Sequence, residues 1–291
     1  MSPLVALYIT QGLNGLGYGM LLFLVSSGLT LIYGMMGFLN LSHAFFFMLG
    51  AYFCATFLGI TGSFWISLLL APLAVALVGM LAERFFLRNL EHNELGYIGQ
   101  VLPTLGIALI ILTSISLFWS RSLWIETPRL LQGVVSIGGL SYPIYRIFII
   151  GLSLVVLIFL AMIIYLTRLG LILRGAVSDS DMVNALGVNI PLIFTLVFGI
   201  STWLAGVAGV ALTPIFFVNA GFAYQWALET FVVVIVGGLG SLPGAFVVAL
   251  LFGELHSYGV QFMPKLAPIL MFLIMVLVLS FKPTGLFGKR G

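Results

Sequence analysis

A chain of 291 residues that is 62% hydrophobic and 7% charged, with a mean hydropathy of +1.26, lies far from the composition of soluble domains, roughly 25% charged. A net charge of only +3, carried by basic residues scattered around apolar runs, excludes a dedicated nucleic-acid surface. The single cysteine, Cys54, excludes an intrachain disulfide and a cysteine-rich metal site.

Apolar runs near or above the ~20 residues needed to cross the hydrocarbon layer, without strand alternation, predict an all-α polytopic membrane protein. The opening MSPLVALYITQG lacks the basic region of a cleavable signal, so the first run is expected to stay as an anchor. Segment one, 11–33, carries Gly12, Gly15, Gly17, Gly19 and Gly28, which let a neighbouring helix approach, and is placed inside the bundle. After a turn at 34–37, Asn40, Ser42 and His43 interrupt the apolar run before segment two continues to residue 60. The Asn40 amide is a candidate cap for that helix, and His43 reads either as a packing residue or as a polar group on a pathway.

Segment three, 64–86, leads into the polar connection ERFFLRNLEHNELG, and segment four covers 97–119. Residues 120–144 form an aqueous loop in which VVSI and LSYPI around Gly138 and Gly139 predict a small β-hairpin. Segment five spans 145–165 and segment six 190–217, where Ala205, Gly206, Ala208 and Gly209 form a small-residue face. Segment seven, 231–252, holds GGLGSLPG at its centre, and Gly237, Gly238, Gly240 and Pro243 should break a helix. The last segment, 266–281, ends in FKPTGLFGKRG. That makes about eight membrane segments, one of them broken or re-entrant.

Seven of the eleven basic residues, Arg84, Arg88, Arg168, Arg174, Lys282, Lys289 and Arg290, are assigned to the cytoplasmic side against Arg121, Arg129, Arg146 and Lys265. Three crossings after Pro191 would put the tail on the wrong side. A seventh segment that enters and leaves on one face removes the conflict, since broken helices are tolerated where they line a cavity.

Between segments five and six, 168–191 is a polar island with marked ends. Ser178 to Asp181 read as a capping box, Gly187 as a left-handed stop and Pro191 as a barrier to continuation, with Met182, Val183, Ala185 and Leu186 supplying apolar surface. The alternative is a mere connector. The chain has no P-loop, no H-E-x-x-H, no paired cysteines and no compact Ser/His/Asp set, so an enzyme is excluded in favour of a transporter subunit, a channel or a scaffold. Glu229 and Glu254 fall near predicted segment ends and form no acidic relay.

The run LIYGMMGFLNLSHAFFFMLGAY, the loop GLILRGAVSDSDMVNALGVN, the block FVVVIVGGLGSLPGA and the terminal KPTGLFG, in this order, resemble the inner-membrane permease of the branched-chain amino acid ABC importer family, of the smaller permease type. The resemblance spans 11–288. It implies one transmembrane permease domain over 1–291, similar to vitamin B12-type ABC importer permeases, with 168–190 as a cytoplasmic coupling loop and 120–144 as a periplasmic loop. It also implies a second permease subunit forming a heterodimer, two cytoplasmic ABC ATPase subunits, a periplasmic solute-binding protein, a bacterial inner-membrane location and no cofactor.

In such permeases the loop matching 174–187 docks on the ATPase. Arg174, Asp179 and Gly187 match the family pattern. Asp181, Met182 and Val183 depart from a commoner glutamate and two alanines, which bears on which ATPase fits. The breaks at Asn40, Ser42 and His43 and at Gly237, Gly238, Gly240 and Pro243 are the expected pathway or gate, against close helix packing alone. An ATP-independent channel or facilitator, and an ABC permease for urea, amides or aromatic acids, are the rival readings.

Overall fold

The structure is a computed structural model that describes residues 2–88, 96–119, 122–137, 140–219 and 221–288. Among these, seven helices are long and apolar enough to cross a membrane, and two shorter apolar helices accompany them. The protein is all-α and polytopic, apart from one hairpin.

The first helix, α1 (Pro3–Met36), begins earlier than its apolar run announces, because Ser2 Oγ accepts a hydrogen bond from the Val5 amide and Pro3 occupies the first turn. It stops at Gly37, whose N–H closes onto Tyr33 O at 2.9 Å. As expected, its middle is inside the molecule, with Leu22, Phe23, Leu24 and Val25 all buried. Then follow α2 (His43–Thr61), α3 (Phe64–Ala82) and a π-helical turn, Glu83–Leu87. α4 (Gly96–Phe118) leads to the hairpin of β1 (Val134–Ile137) and β2 (Leu140–Pro143), antiparallel with Val134 opposite Pro143. The expected hairpin is therefore present, although Gly138 and Gly139 lie outside the described residues. The remaining helices are α5 (Ile144–Leu166), α6 (Arg168–Ser178), α7 (Ser180–Ala185), α8 (Ile190–Leu212), α9 (Phe222–Gly237), α10 (Leu242–Phe262) and α11 (Ala267–Phe281).

α1 and α10 run antiparallel in backbone contact. A Cβ added at Gly19 would stand 2.8 Å from Ala249 O, and further along the pair Phe23 meets Phe246 edge to face at 5.1 Å. The small-residue face of α8 does the same for α2, since a Cβ at Gly209 would collide with Phe47 O. Aromatic side chains close the centre, where Phe47 stacks on Trp226 at 4.7 Å. α4 and α5 turn Leu109, Ile110, Val155 and Ile158 outward, which lipid tolerates and water does not.

One segment differs from expectation. Residues 231–252 are the end of α9 and the start of α10, joined by a tight turn with Gly238 at φ 103° and Gly240 at φ 78°. Each helix extends well beyond the apolar run that surrounds the break. A single segment dipping in and out is therefore not needed. Among the described residues α8, α9, α10 and α11 follow the arm, and residues 282–288 return to the end of the bundle where Leu31 and Met35 of α1 pack against Leu173 of α6. Arg88, Arg168, Arg174 and Lys282 belong to that same end, whereas Lys289 and Arg290 lie outside the described residues.

Candidate functional site

The island between α5 and α8 is two helices rather than one. α6 starts on Thr167, whose Oγ accepts from the Gly170 amide at 3.2 Å, and runs through Ser178. Asp179 then adopts extended backbone (φ −158°, ψ 98°) and its Oδ1 accepts from Met182 N at 2.9 Å, so Asp179, not Ser178, caps α7. The expected box is shifted by one residue because the amphipathic run 168–178 is itself helical and takes Ser178 into its last turn. Gly187 takes the left-handed conformation (φ 86°) and donates to Asn184 O. Asn189 opens α8, its Oδ1 accepting from Leu192 N at 3.1 Å, and Pro191 occupies the first turn of that helix.

The base of this arm is tied to the end of α5. Arg174 turns back to donate to Ile164 O at the end of α5 and sets its guanidinium 5.8 Å over the Tyr165 ring. Gly170 permits the elbow, since a Cβ there would collide with Ile164 O. Arg174 therefore anchors the arm to its own bundle. Val183 packs toward Gly175, while Met182 in α7 and Leu186 at its C-cap are the large apolar side chains turned outward, 63% and 75% exposed. Two large apolar side chains, Met182 and Leu186, are thus held outward beside a capped helix. The backbone of Asp181 is in α7, but its side chain lies outside what the structure describes.

The two predicted breaks are built differently. In the first, Asn40 Oδ1 accepts from Ser42 N at 2.9 Å and Ser42 Oγ at 2.6 Å, and Leu41 N donates to Thr104 Oγ1 of α4. His43 Nε2 lies 2.9 Å from Val25 O, against Gly28 of α1. All three polar side chains are fully buried, and Asn40 Nδ2 and His43 Nδ1 have no hydrogen-bond partner among the described residues. In the second, Gly237 and Gly238 are buried whereas Gly240 and Pro243 are exposed. There the terminal stretch folds back: Leu286 N donates to Val236 O at 2.8 Å and Phe287 N to Gly237 O at 3.0 Å. These are carbonyls that the end of α9 leaves without intrahelical partners. The motifs GGLGSLPG and KPTGLFG thus form one unit, and Gly237, Gly238, Gly240 and Pro243 are not brought together with Asn40, Ser42 and His43.

Two polar features escape the sequence pattern. Glu83, fully buried, pairs with Arg88 at 3.3 Å and accepts from Thr195 Oγ1 at 2.5 Å, while Arg88 donates to Pro191 O at 2.7 Å. Their spacing of five brings the side chains together only across a π-helical turn, which apolar periodicity does not announce. Glu229, expected at a segment end, sits inside α9, 8% exposed, accepting from Tyr18 Oη and from Gln225 Nε2 at 3.0 Å. No cluster of metal-ligating side chains occurs among the described residues.

Residues 12–279 match the family model described as branched-chain amino acid transport system, permease component. The chain is 28% identical over 305 residues to the high-affinity branched-chain amino acid transport system permease protein BraD of Pseudomonas aeruginosa, covering 99% of this chain and 98% of that protein. It is 26% identical over 308 residues to the permease protein LivH of Escherichia coli K12 and 25% identical over 306 to LivH of Salmonella typhimurium, with the same coverage. No solved structure matches.

Proposed function

The chain belongs to the family of permease components of branched-chain amino acid transport systems, and from that premise we propose that it works by alternating access in an ATP-driven importer of the ABC class. It is a non-catalytic, multi-pass inner-membrane permease subunit for branched-chain amino acid transport. ATP hydrolysis belongs to two separate cytoplasmic subunits. A second permease and a periplasmic solute-binding protein complete the machine, and the helix arrangement is of the vitamin B12-importer kind. The arm 168–190 faces the cytoplasm and the loop 120–144 the periplasm.

The observation that carries this reading is the arm itself, set in a chain that follows the family model from 12 to 279. Closure of an ATPase pair moves a permease only through an element that is both gripped and stiff. The grip falls to Met182 and Leu186, both exposed, while Arg174, Gly170 and Asp179 stiffen the arm behind them.

The buried break at Asn40, Ser42 and His43 is assigned to the pathway or its gate. The turn holding Gly237, Gly238, Gly240 and Pro243 is assigned to a fixed base between α9 and α10. The test is Met182→Arg in the assembled complex. Loss of ATPase co-purification and of leucine uptake is expected, and unchanged uptake and co-purification would overturn the docking role. Leucine uptake by vesicles holding this chain without ATPase subunits would favour a facilitator instead.

A further inference from the structure

α8 carries the chain from the arm into the bundle, and its start is held from two sides. On one side Ile193 and Val197 pack with Leu173 of α6. On the other, the end of α3 supplies a polar clasp. Arg88 Nη2 donates to Pro191 O at 2.7 Å and to Thr195 Oγ1 at 2.5 Å, and Thr195 Oγ1 donates to Glu83 Oε2 at 2.5 Å. Arg88 Nε and Nη2 also donate to the Glu83 carboxylate at 3.3 to 3.4 Å. Glu83 is fully buried, whereas Arg88 reaches it from the rim with 28% of its side chain exposed.

Stability alone is a poor reason for this arrangement. A buried ion pair adds little over apolar side chains of the same volume, but it admits one geometry where they admit several. The place where that geometry is imposed is the first turn of α8, the part of a helix that frays and bends most readily. Beyond the clasp, α3 and α8 stay in close contact. A Cβ at Gly199 would meet Met80 Cγ at 2.7 Å, and one at Gly206 would stand 3.0 Å from Pro72 Cα. Roughly 9 Å along the helix from Thr195 lies Ser201. A Cβ at Gly28 would stand 2.6 Å from Ser201 O and 2.8 Å from the His43 ring. The shortest route from the arm to the buried break is therefore α8 itself, braced by α3.

We infer that Glu83, Arg88 and Thr195 are positioning residues that lock the start of α8 to the end of α3. A push on the arm then moves the two helices as one body and reaches the break at His43 instead of being absorbed in the first turn of α8. This role rests on the ATP-driven importer proposed above.

The test uses the complete complex of permeases, ATPase subunits and solute-binding protein in proteoliposomes, and reads leucine imported per ATP hydrolysed. Thr195→Val keeps the shape of the side chain and removes its hydroxyl. It is expected to lower that ratio roughly threefold or more while the ATPase subunits still co-purify and hydrolyse ATP. Thr195→Ser, which keeps the hydroxyl, should hold the wild-type ratio. Arg88→Lys keeps the charge but its single nitrogen cannot span Glu83, Thr195 and Pro191, so a similar loss is expected, and this variant decides should Thr195→Val fail to assemble. A merely structural clasp would reduce the amount of complex, with uptake and hydrolysis falling together and their ratio unchanged. That outcome, or a loss in Thr195→Ser as large as in Thr195→Val, overturns the inference and leaves ATP-driven import standing. Leucine uptake by the wild-type complex that needs no ATP overturns the importer reading and the role of the clasp with it.

Discussion

The two interruptions in the apolar pattern, at 40–43 and at 237–243, look alike on paper and are opposite in construction. The first is closed by side chains: Asn40 bridges Ser42, and His43 reaches Val25 O inside the core. The second is closed by backbone, with residues 286 and 287 donating to the end of α9. A break satisfied by side chains can exchange partners through rotamer changes, and its orphan Asn40 Nδ2 and His43 Nδ1 are available for new ones. A break sealed by backbone moves only if the tail leaves.

Substitutions sharpen that contrast. Gly238→Val should have the largest effect, ~3 kcal/mol or more, because φ is 103° and a Cβ would collide with Gly288 N. A thermal midpoint close to wild type in detergent would show that the tail does not seal this turn. Gly28→Ala comes next, at about 1–3 kcal/mol, since its Cβ would meet Ser201 O at 2.6 Å and the His43 ring at 2.8 Å. Asn40→Ala should cost ~1–2 kcal/mol in the same measurement, and reduced uptake at unchanged expression would tie the first break to transport. Gly240→Ala should cost only ~1 kcal/mol, because its φ of 78° is strained for alanine but its nearest contact is 3.5 Å away. If Gly240→Ala instead matched Gly238→Val, the turn would be a packed unit throughout and the contrast would narrow.

Apolar run length located most helices to within a few residues, as at α3, α5 and α8, where a span-length run ends abruptly in Gly, Pro or charge. What it could not locate were features made by long-range contact. α9 and α10 read as one segment because a short apolar helix and the start of the next join into a run of span length. The Glu83–Arg88 pair depends on a π-helical turn, and the seal of 236–237 by 286–287 joins residues far apart in sequence. In the arm, Gly187 and Asp179 are visible by residue type, yet the break between α6 and α7 at Asp179 depends on α6 being helical, which its short amphipathic run only half declares.

The seal over α9 has a consequence for how the protein is made and handled. Synthesis proceeds from the amino terminus, so α9 and α10 are complete while Val236 O and Gly237 O still await residues 286 and 287. Until those residues leave the ribosome, that corner carries open carbonyls. A reporter or affinity tag fused directly after residue 288 would hang from the sealing strand itself, so a spacer belongs between them.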